Sequence, residues 1–270
     1  MEINEKVIKL LSKLRKEKPL IHCITNYVTI NDCANITLAI GGSPAMADGI
    51  EEVEDMVKIA SALVINIGTL NNNTVEAMLL AGKKANKVGV PVILDPVAVG
   101  ATPYRKEIAL KFIEEIKFAV IRGNMAEIKV LSGQEALSKG VDSEESCEDG
   151  KQVAKDLAKA LKTIIAITGV IDFISDGEKV VAIENGHEML TKVTGTGCMS
   201  TCLIAAYAGV TKDYFTAAIA GIITMGISGE KAYEKLTKVQ GSGSFKVLLM
   251  DNIYNFCSDD IIKRGRANEL

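Results

Sequence analysis

Apolar residues recur along this chain in two rhythms. In the first they return every three or four residues against Lys, Arg and Glu, the period of a half-buried helix. Val7, Ile8, Leu11 and Leu14 make such a stripe over residues 3 to about 16. In the second, apolar residues run together and stop at a turn former, as strands buried on both faces do. Pro19 to Thr25 is a run of this kind, ending at Asn26, and Ala62 to Ile67 is another, bounded by Gly68. Val90 to Leu94 ends in Asp95-Pro96, Phe118 to Ile121 in Arg122-Gly123-Asn124, and Thr163 to Ile167 in Thr168-Gly169.

Between these runs the helical rhythm predicts Asn31 to Ile40, closed by Gly41-Gly42 with Ser43-Pro44 as a loop, and then Glu51 to Ala60. It also predicts Asn71 to Val88 with Asn73 or Thr74 as cap, Tyr104 to Ile116, 125 to 132 closed by Gly133, and Ser143 to Leu161 beyond an acidic, exposed loop. Phe173 to Ser175 and Lys179 to Ile183, turning at Asp176-Gly177, read as a hairpin, with antiparallel strands expected only near 172–184. Helices near 197–210, 213–227, 229–236 and 243–257 complete the chain. Apolar strands alternating with helices predict an α/β fold, a mostly parallel central sheet with helices on both faces. No linker or internal repeat divides it, so 1–270 reads as a single domain.

Composition narrows the function. The hydrophobic fraction of 48% supports one large core, and a net charge of −3 gives no reason to expect a nucleic-acid partner. Basic residues cluster only at Lys13 to Lys18 and Lys263 to Arg266, which read as solvated helix faces or ends. No apolar run approaches the roughly 18 residues that span a bilayer, so no membrane partner is expected. Six scattered cysteines without C-x-x-C spacing suit a reduced, cytoplasmic protein and do not suggest a structural zinc. His22 reads as a strand residue and His187 as a loop residue.

The candidate chemistry lies where the strands end, because ligands of open α/β sheets collect at their carboxyl ends. Asn26, Gly68, Asp95, Arg122 with Glu127, and Thr168 fall there. The stretch Thr194-Gly195-Thr196-Gly197-Cys198 then opens an uncharged helical run. Glycines at a helix start leave N–H groups uncovered for an anion, and a thiol in the first turn tends toward a lower pKa. Carboxylates, a cation, a hydroxyl and an anion seat are what a Mg-nucleotide and a phosphate-accepting alcohol require.

The segments HCITNYVT (22–29), GGSPAMAD (41–48), ILDPVAVGAT (93–102), IRGNMAEI (121–128), ITG (167–169) and TGTGCMS (194–200) together resemble the hydroxyethylthiazole kinases. These are thiamin-salvage enzymes of the ribokinase-like superfamily, and the resemblance runs over essentially the whole chain. It implies phosphorylation of the hydroxyl of 4-methyl-5-(2-hydroxyethyl)thiazole by ATP with Mg²⁺, in a homotrimer whose thiazole pockets lie at subunit interfaces. It further implies that Met46 and Gly195 contact the substrate. Arg122, Thr168, Thr194 and Asn26 would serve the phosphates and the transferred group, and Asp95 and Glu127 would hold Mg²⁺. Gly197 and Cys198 would stand at the reacting hydroxyl, Cys198 where most ribokinase-like enzymes carry an Asp base.

Each assignment has a rival. Asp95 could cap a turn before Pro96, Glu127 could serve a helix N-terminus, and Arg122 could be an ordinary ion-pair residue. Thr168 and Asn26 could be turn residues, Met46 core filler, and Cys198 a small apolar residue beneath the site. At the level of function the competing readings are a kinase for a pyrimidine precursor or a sugar, a non-catalytic nucleotide-binding regulator, and a redox sensor on Cys198 and Cys202.

Overall fold

The structure is a computed structural model that describes residues 3–133 and 147–270. Its frame is a nine-stranded sheet in the order β2-β1-β3-β4-β5-β6-β7-β8-β9. The strands are β1 (Leu20–Ile24), β2 (Ser43–Ala45), β3 (Ala62–Asn66), β4 (Val92–Asp95), β5 (Val120–Asn124), β6 (Ile164–Thr168), β7 (Asp172–Ser175), β8 (Val180–Ile183) and β9 (Ala267–Glu269). From β2 to β6 every pairing is parallel, and from β6 to β9 every pairing is antiparallel.

Because side chains alternate across a strand, each buried strand feeds two hydrophobic layers. Ala62 and Val64 of β3, Ile93 of β4, Val120 of β5 and Ala166 of β6 face one layer. That layer is closed by α1 (Ile3–Glu17), α2 (Ile30–Ile40), α8 (Thr196–Ala208), α9 (Tyr214–Glu234) and α10 (Ser242–Tyr254). Leu63 and Ile65, Val92 and Leu94, Ile121, Ile165 and Ile167 face the other. There α3 (Val53–Ile59), α4 (Asn72–Val88), α5 (Pro103–Glu115), α6 (Met125–Leu131) and α7 (Cys147–Leu161) cover the sheet. The α/β architecture with helices on both faces is therefore the one observed.

Several elements differ from the sequence expectation, each for a physical reason. Ser43-Pro44 is not loop but the start of β2. Proline is tolerated there because β2 is an edge strand, where a missing donor breaks no inner ladder. The helices expected at 213–227 and 229–236 are one helix, α9. Its Gly226 and Gly229 admit neighbours rather than ending the helix, since a Cβ on Gly226 would lie 2.6 Å from the carbonyl oxygen of Asn185. The helix expected at 243–257 ends at Tyr254. A new one, α11 (Ser258–Arg264), follows, started by a capping box in which Asp260 returns a carboxylate oxygen to the Cys257 N–H.

Strand β9, beyond the expected hairpin, adds a third antiparallel strand. The Lys263-to-Arg266 cluster is not simply solvated, because Arg264 pairs with Glu234 and Arg266 with Glu230. The α4 cap is Asn71, in a reciprocal box with Thr74, rather than Asn73 or Thr74 itself. The acidic loop before α7, and that helix's expected start at Ser143, lie outside the described residues.

Candidate active site

Strand parity builds the site. Asn66 continues the alternate positions of Ala62 and Val64, Asp95 that of Ile93, Arg122 that of Val120, and Thr168 that of Ala166. All four therefore project from the carboxyl ends of neighbouring strands toward the layer that contains α8. Registers agree: Asn66 lies beside Asp95, and Asn124 of β5 beside Thr168 of β6.

The N-terminus of α8 closes over this row, and two glycines make the approach possible. Gly195 has a left-handed φ of +84°, and a Cβ there would stand 2.5 Å from the Thr29 methyl carbon. At Gly197 a Cβ would come 2.5 Å from Nη1 of Arg122. Arg122 thus lies directly against the first turn of α8, its Nη2 donating to the Thr168 hydroxyl at 2.6 Å and its Nη1 4.0 Å from Asp95 Oδ1. Its Nε is buried without a partner, so a donor of the fork stays unspent.

Asp95 is fully buried. Its Oδ2 accepts from Asn66 Nδ2 (2.8 Å) and the Thr201 hydroxyl (3.0 Å), whereas Oδ1 is buried with no hydrogen bond. Burial pushes its pKa up to about 6; the Arg122 charge pulls it down and Glu127 pushes it up. Glu127 has both carboxylate oxygens on backbone N–H groups at 2.8 Å, Oε1 on Ala98 and Oε2 on Asn124, in a capping box that starts α6. Ala98 holds a φ of +54°, a strained conformation for alanine that this contact helps to retain.

Cys198 is buried, and its Sγ receives the amide N–H groups of Asn26 (3.4 Å) and Asn66 (3.2 Å). The lowered thiol pKa expected at a helix start is not found: burial, and then the nearby Asp95 charge, push it up to about 12. Asn26 has spent its whole hydrogen-bonding capacity inside the protein. Its Oδ1 accepts from the Thr29 N–H and hydroxyl, and its Nδ2 donates to Asn66 and Cys198, which leaves no donor for a phosphate.

Thr194 is exposed at the rim, just before the α8 turn. Met46 is half-buried beyond β2, packed on the α8-side core. The adjoining Ala47 carbonyl is held by Nε2 of the buried His22 at 2.6 Å. The structure thus brings Asn26, Asp95, Arg122, Thr168, Gly195, Gly197 and Cys198 together, with Glu127 one layer out. It shows no direct tie from Met46 or Thr194 to that group.

Sequence reading missed Asn66, Thr201, Thr29 and Arg105. Asn66 carried a signal, being the lone polar residue in the ALVINI run. Arg105, in the first turn of α5, donates to the carbonyls of Ile67 (2.7 Å), Val97 (3.0 Å) and Gly68 (2.7 Å), tying the tips of β3 and β4. No residue spacing announces that contact. Among the described residues there is no cluster of three or more His, Cys, Asp or Glu that could hold a metal by themselves. The residues still suit Mg²⁺, an ion that keeps several waters and takes one or two carboxylates plus substrate phosphates. Asp95 Oδ1 is the open oxygen, and the saturated Glu127 fits contact through water.

A parallel sheet with an antiparallel extension, carboxylate and arginine at its carboxyl edge, and a glycine-led helix above them make up a ribokinase-like fold. A ribokinase-like superfamily protein from Enterococcus faecalis superposes with a TM-score of 0.62 at 12% identity, covering 92% of this chain and 89% of that one, a likeness of fold alone. Within that class the chain belongs to the hydroxyethylthiazole kinase family, whose model matches residues 11–259. Hydroxyethylthiazole kinase from Alkaliphilus oremlandii is 55% identical over 271 residues, the full length of both chains. The structure of the hydroxyethylthiazole kinase protein from Pyrococcus horikoshii superposes with a TM-score of 0.90 at 38% identity, covering 98% of this chain and 99% of that one.

Proposed function

We propose that this kinase transfers the γ-phosphoryl group of ATP to the hydroxyl of 4-methyl-5-(2-hydroxyethyl)thiazole, in thiamin salvage. The observation that carries the reading is the convergence of the open Asp95 oxygen, the unspent Arg122 donor and the α8 N-terminus at one end of the sheet. Such a transfer is catalysed mainly by positioning and by charge stabilisation aimed at the moving group.

In this reading Arg122 and Thr168 hold the ATP phosphates, with Thr194 at the rim. The amides of Gly195 to Cys198 receive charge that develops on the transferred group. Met46 and Gly195 line the thiazole pocket. Asp95, and Glu127 through water, hold Mg²⁺, which neutralises phosphate charge when bound. Asn26 acts by holding Cys198. Cys198 meets the substrate hydroxyl as a neutral thiol, so its contribution as a base is modest.

Residues 1–270 act as one domain, a reading supported by the single continuous sheet. Tyr27, Val28, Leu38, Val247 and Tyr254 are exposed, Leu38 on α2 and Val247 and Tyr254 on α10, two helices packed together. Uncovered apolar surface of this kind supports a homotrimer with pockets at its interfaces. No helix of the described residues is long and apolar enough to cross a membrane. Buried free thiols at Cys23, Cys33, Cys198 and Cys202 support residence in the reducing cytoplasm.

The test is coupled ADP release with Mg-ATP, with and without the thiazole, alongside Asp95→Ala and Arg122→Ala. Thiazole-dependent turnover lost in both variants supports the assignment. Turnover retained in either removes that residue from it. Melting-point shifts with ATP but no turnover point to a binding protein or another alcohol.

A further inference from the structure

We infer that Asn66 is a positioning residue for this reaction, one that fixes both the open oxygen of Asp95 and the sulfur of Cys198. The inference deepens the proposed kinase activity and rests on it for the roles of those two groups.

An asparagine at the end of a strand buried on both faces is costly unless its polar atoms are matched. In this site all are matched. Oδ1 accepts from the Gly68 N–H and from Asn26 Nδ2, each at 2.9 Å, and Nδ2 donates to Asp95 and Cys198. The direction of this chain is fixed by its ends. The backbone N–H groups of Thr29 and Gly68 can only donate, so they orient Oδ1 of Asn26 and of Asn66 toward themselves. Both NH₂ groups must then face Cys198, and that of Asn66 must also face Asp95. The reacting end is shaped in two ways. Asp95 Oδ2 is engaged by Asn66 and Thr201, which turns Oδ1 away, unpartnered, toward Arg122. The Cys198 sulfur faces two donors, so its proton points away from the amides. Gly68 is adapted to the same arrangement, since a Cβ there would lie 2.8 Å from the Asn26 Cβ.

Removing a group that orients a metal-binding or reacting residue typically costs about 10–100-fold in activity or metal affinity. The experiment compares wild type, Asn66→Leu, Asn66→Ser and Asp95→Ala. It reads steady-state kinetics together with Mn²⁺ binding in the presence of ADP, followed by electron paramagnetic resonance. Asn66→Leu keeps the volume and removes every hydrogen bond; Asn66→Ser restores one hydroxyl donor. The expected result for Asn66→Leu is a kcat lowered about 10–100-fold, a KM for ATP within about threefold, and nucleotide-dependent Mn²⁺ binding weakened about tenfold, with Asn66→Ser between it and wild type. If Asn66→Leu does not fold, Asn66→Ser carries the same test, with a smaller fall in kcat at constant KM expected. A folded variant with wild-type kcat and Mn²⁺ affinity overturns the inference, as does a loss confined to KM. Unchanged Mn²⁺ binding in Asp95→Ala would remove the metal assignment instead, and the kcat arm would still decide the role of Asn66.

Discussion

At the scale of single residues, the site is arranged around groups whose state is set by burial. Cys198 shows this most directly. General-base catalysis typically contributes about 10²–10⁴-fold, and a thiol pushed up to about 12 offers little thiolate at neutral pH. Cys198→Ala should therefore lose no more than that range in kcat, and Cys198→Asp should stay active. An inactive but folded Cys198→Asp would show that the position needs a thiol. Asp172 yields a prediction in pH. It is buried at the start of β7, accepts the Gly169 N–H at 2.9 Å, and has its pKa pushed up to about 7 by burial. Between about pH 4 and 7 the unfolded chain releases this proton and the folded chain keeps it, so this residue makes stability fall as pH rises. Asp172→Asn keeps the acceptor and removes the charge. Its stability, read from denaturant melts, should match wild type near pH 4 and exceed it at pH 8, by an amount on the order of 1–3 kcal/mol. A constant difference across that range would refute burial of the charge as the cause. Asp95, Arg122 and Thr168 were readable in the sequence because each ends an apolar run. Asn66 carried the same kind of signal as the lone polar residue of its run, whereas Thr201 did not, because it lies inside the apolar α8 and its partner Asp95 comes from a strand.

At the scale of elements, two starts behave differently under mutation. The α4 start is held by a reciprocal box in which Asn71 and Thr74 bond to each other rather than to a residue of the site. Asn71→Ala should lower stability by about 1 kcal/mol, with kcat unchanged, as a melting curve and one assay would show. The α8 start is instead shaped to receive Arg122. Gly197→Ala drives a methyl into the guanidinium, so kcat should fall by about 10²-fold, as for a lost transition-state donor, while the melting temperature changes little. A wild-type rate would mean that Arg122 can move aside freely. Helices α1, α2, α4 and α5 were legible from apolar period alone. The unity of α9 was not, because Gly226 and Gly229 look like breaks until the Asn185 backbone and the Leu190 side chain are seen to occupy the space. Strand β9 was hidden for another reason: its three residues are half-exposed or exposed and carry no alternation.

At the scale of the whole molecule, the mostly parallel sheet and its two helical layers followed from sequence rhythm, whereas the order of the strands was not legible there. If the α2–α10 face joins subunits, Leu38→Glu together with Val247→Glu should shift sedimentation to the monomer and abolish thiazole-dependent turnover while the isolated fold survives. A trimer that persists would place the interface elsewhere.

Strand parity also divides the labour of mutation. Asn66, Asp95, Arg122 and Thr168 occupy one phase of the alternation, while Leu63, Ile65, Leu94, Ile121 and Ile165 occupy the other. A two-residue shift within β3–β6 preserves phase, but an insertion of one turns the reacting row into the opposite layer. Repacking the apolar side chains of the second layer therefore alters stability without changing the phase of the reacting row. The four strands tolerate exchange of letters far better than a change in their number.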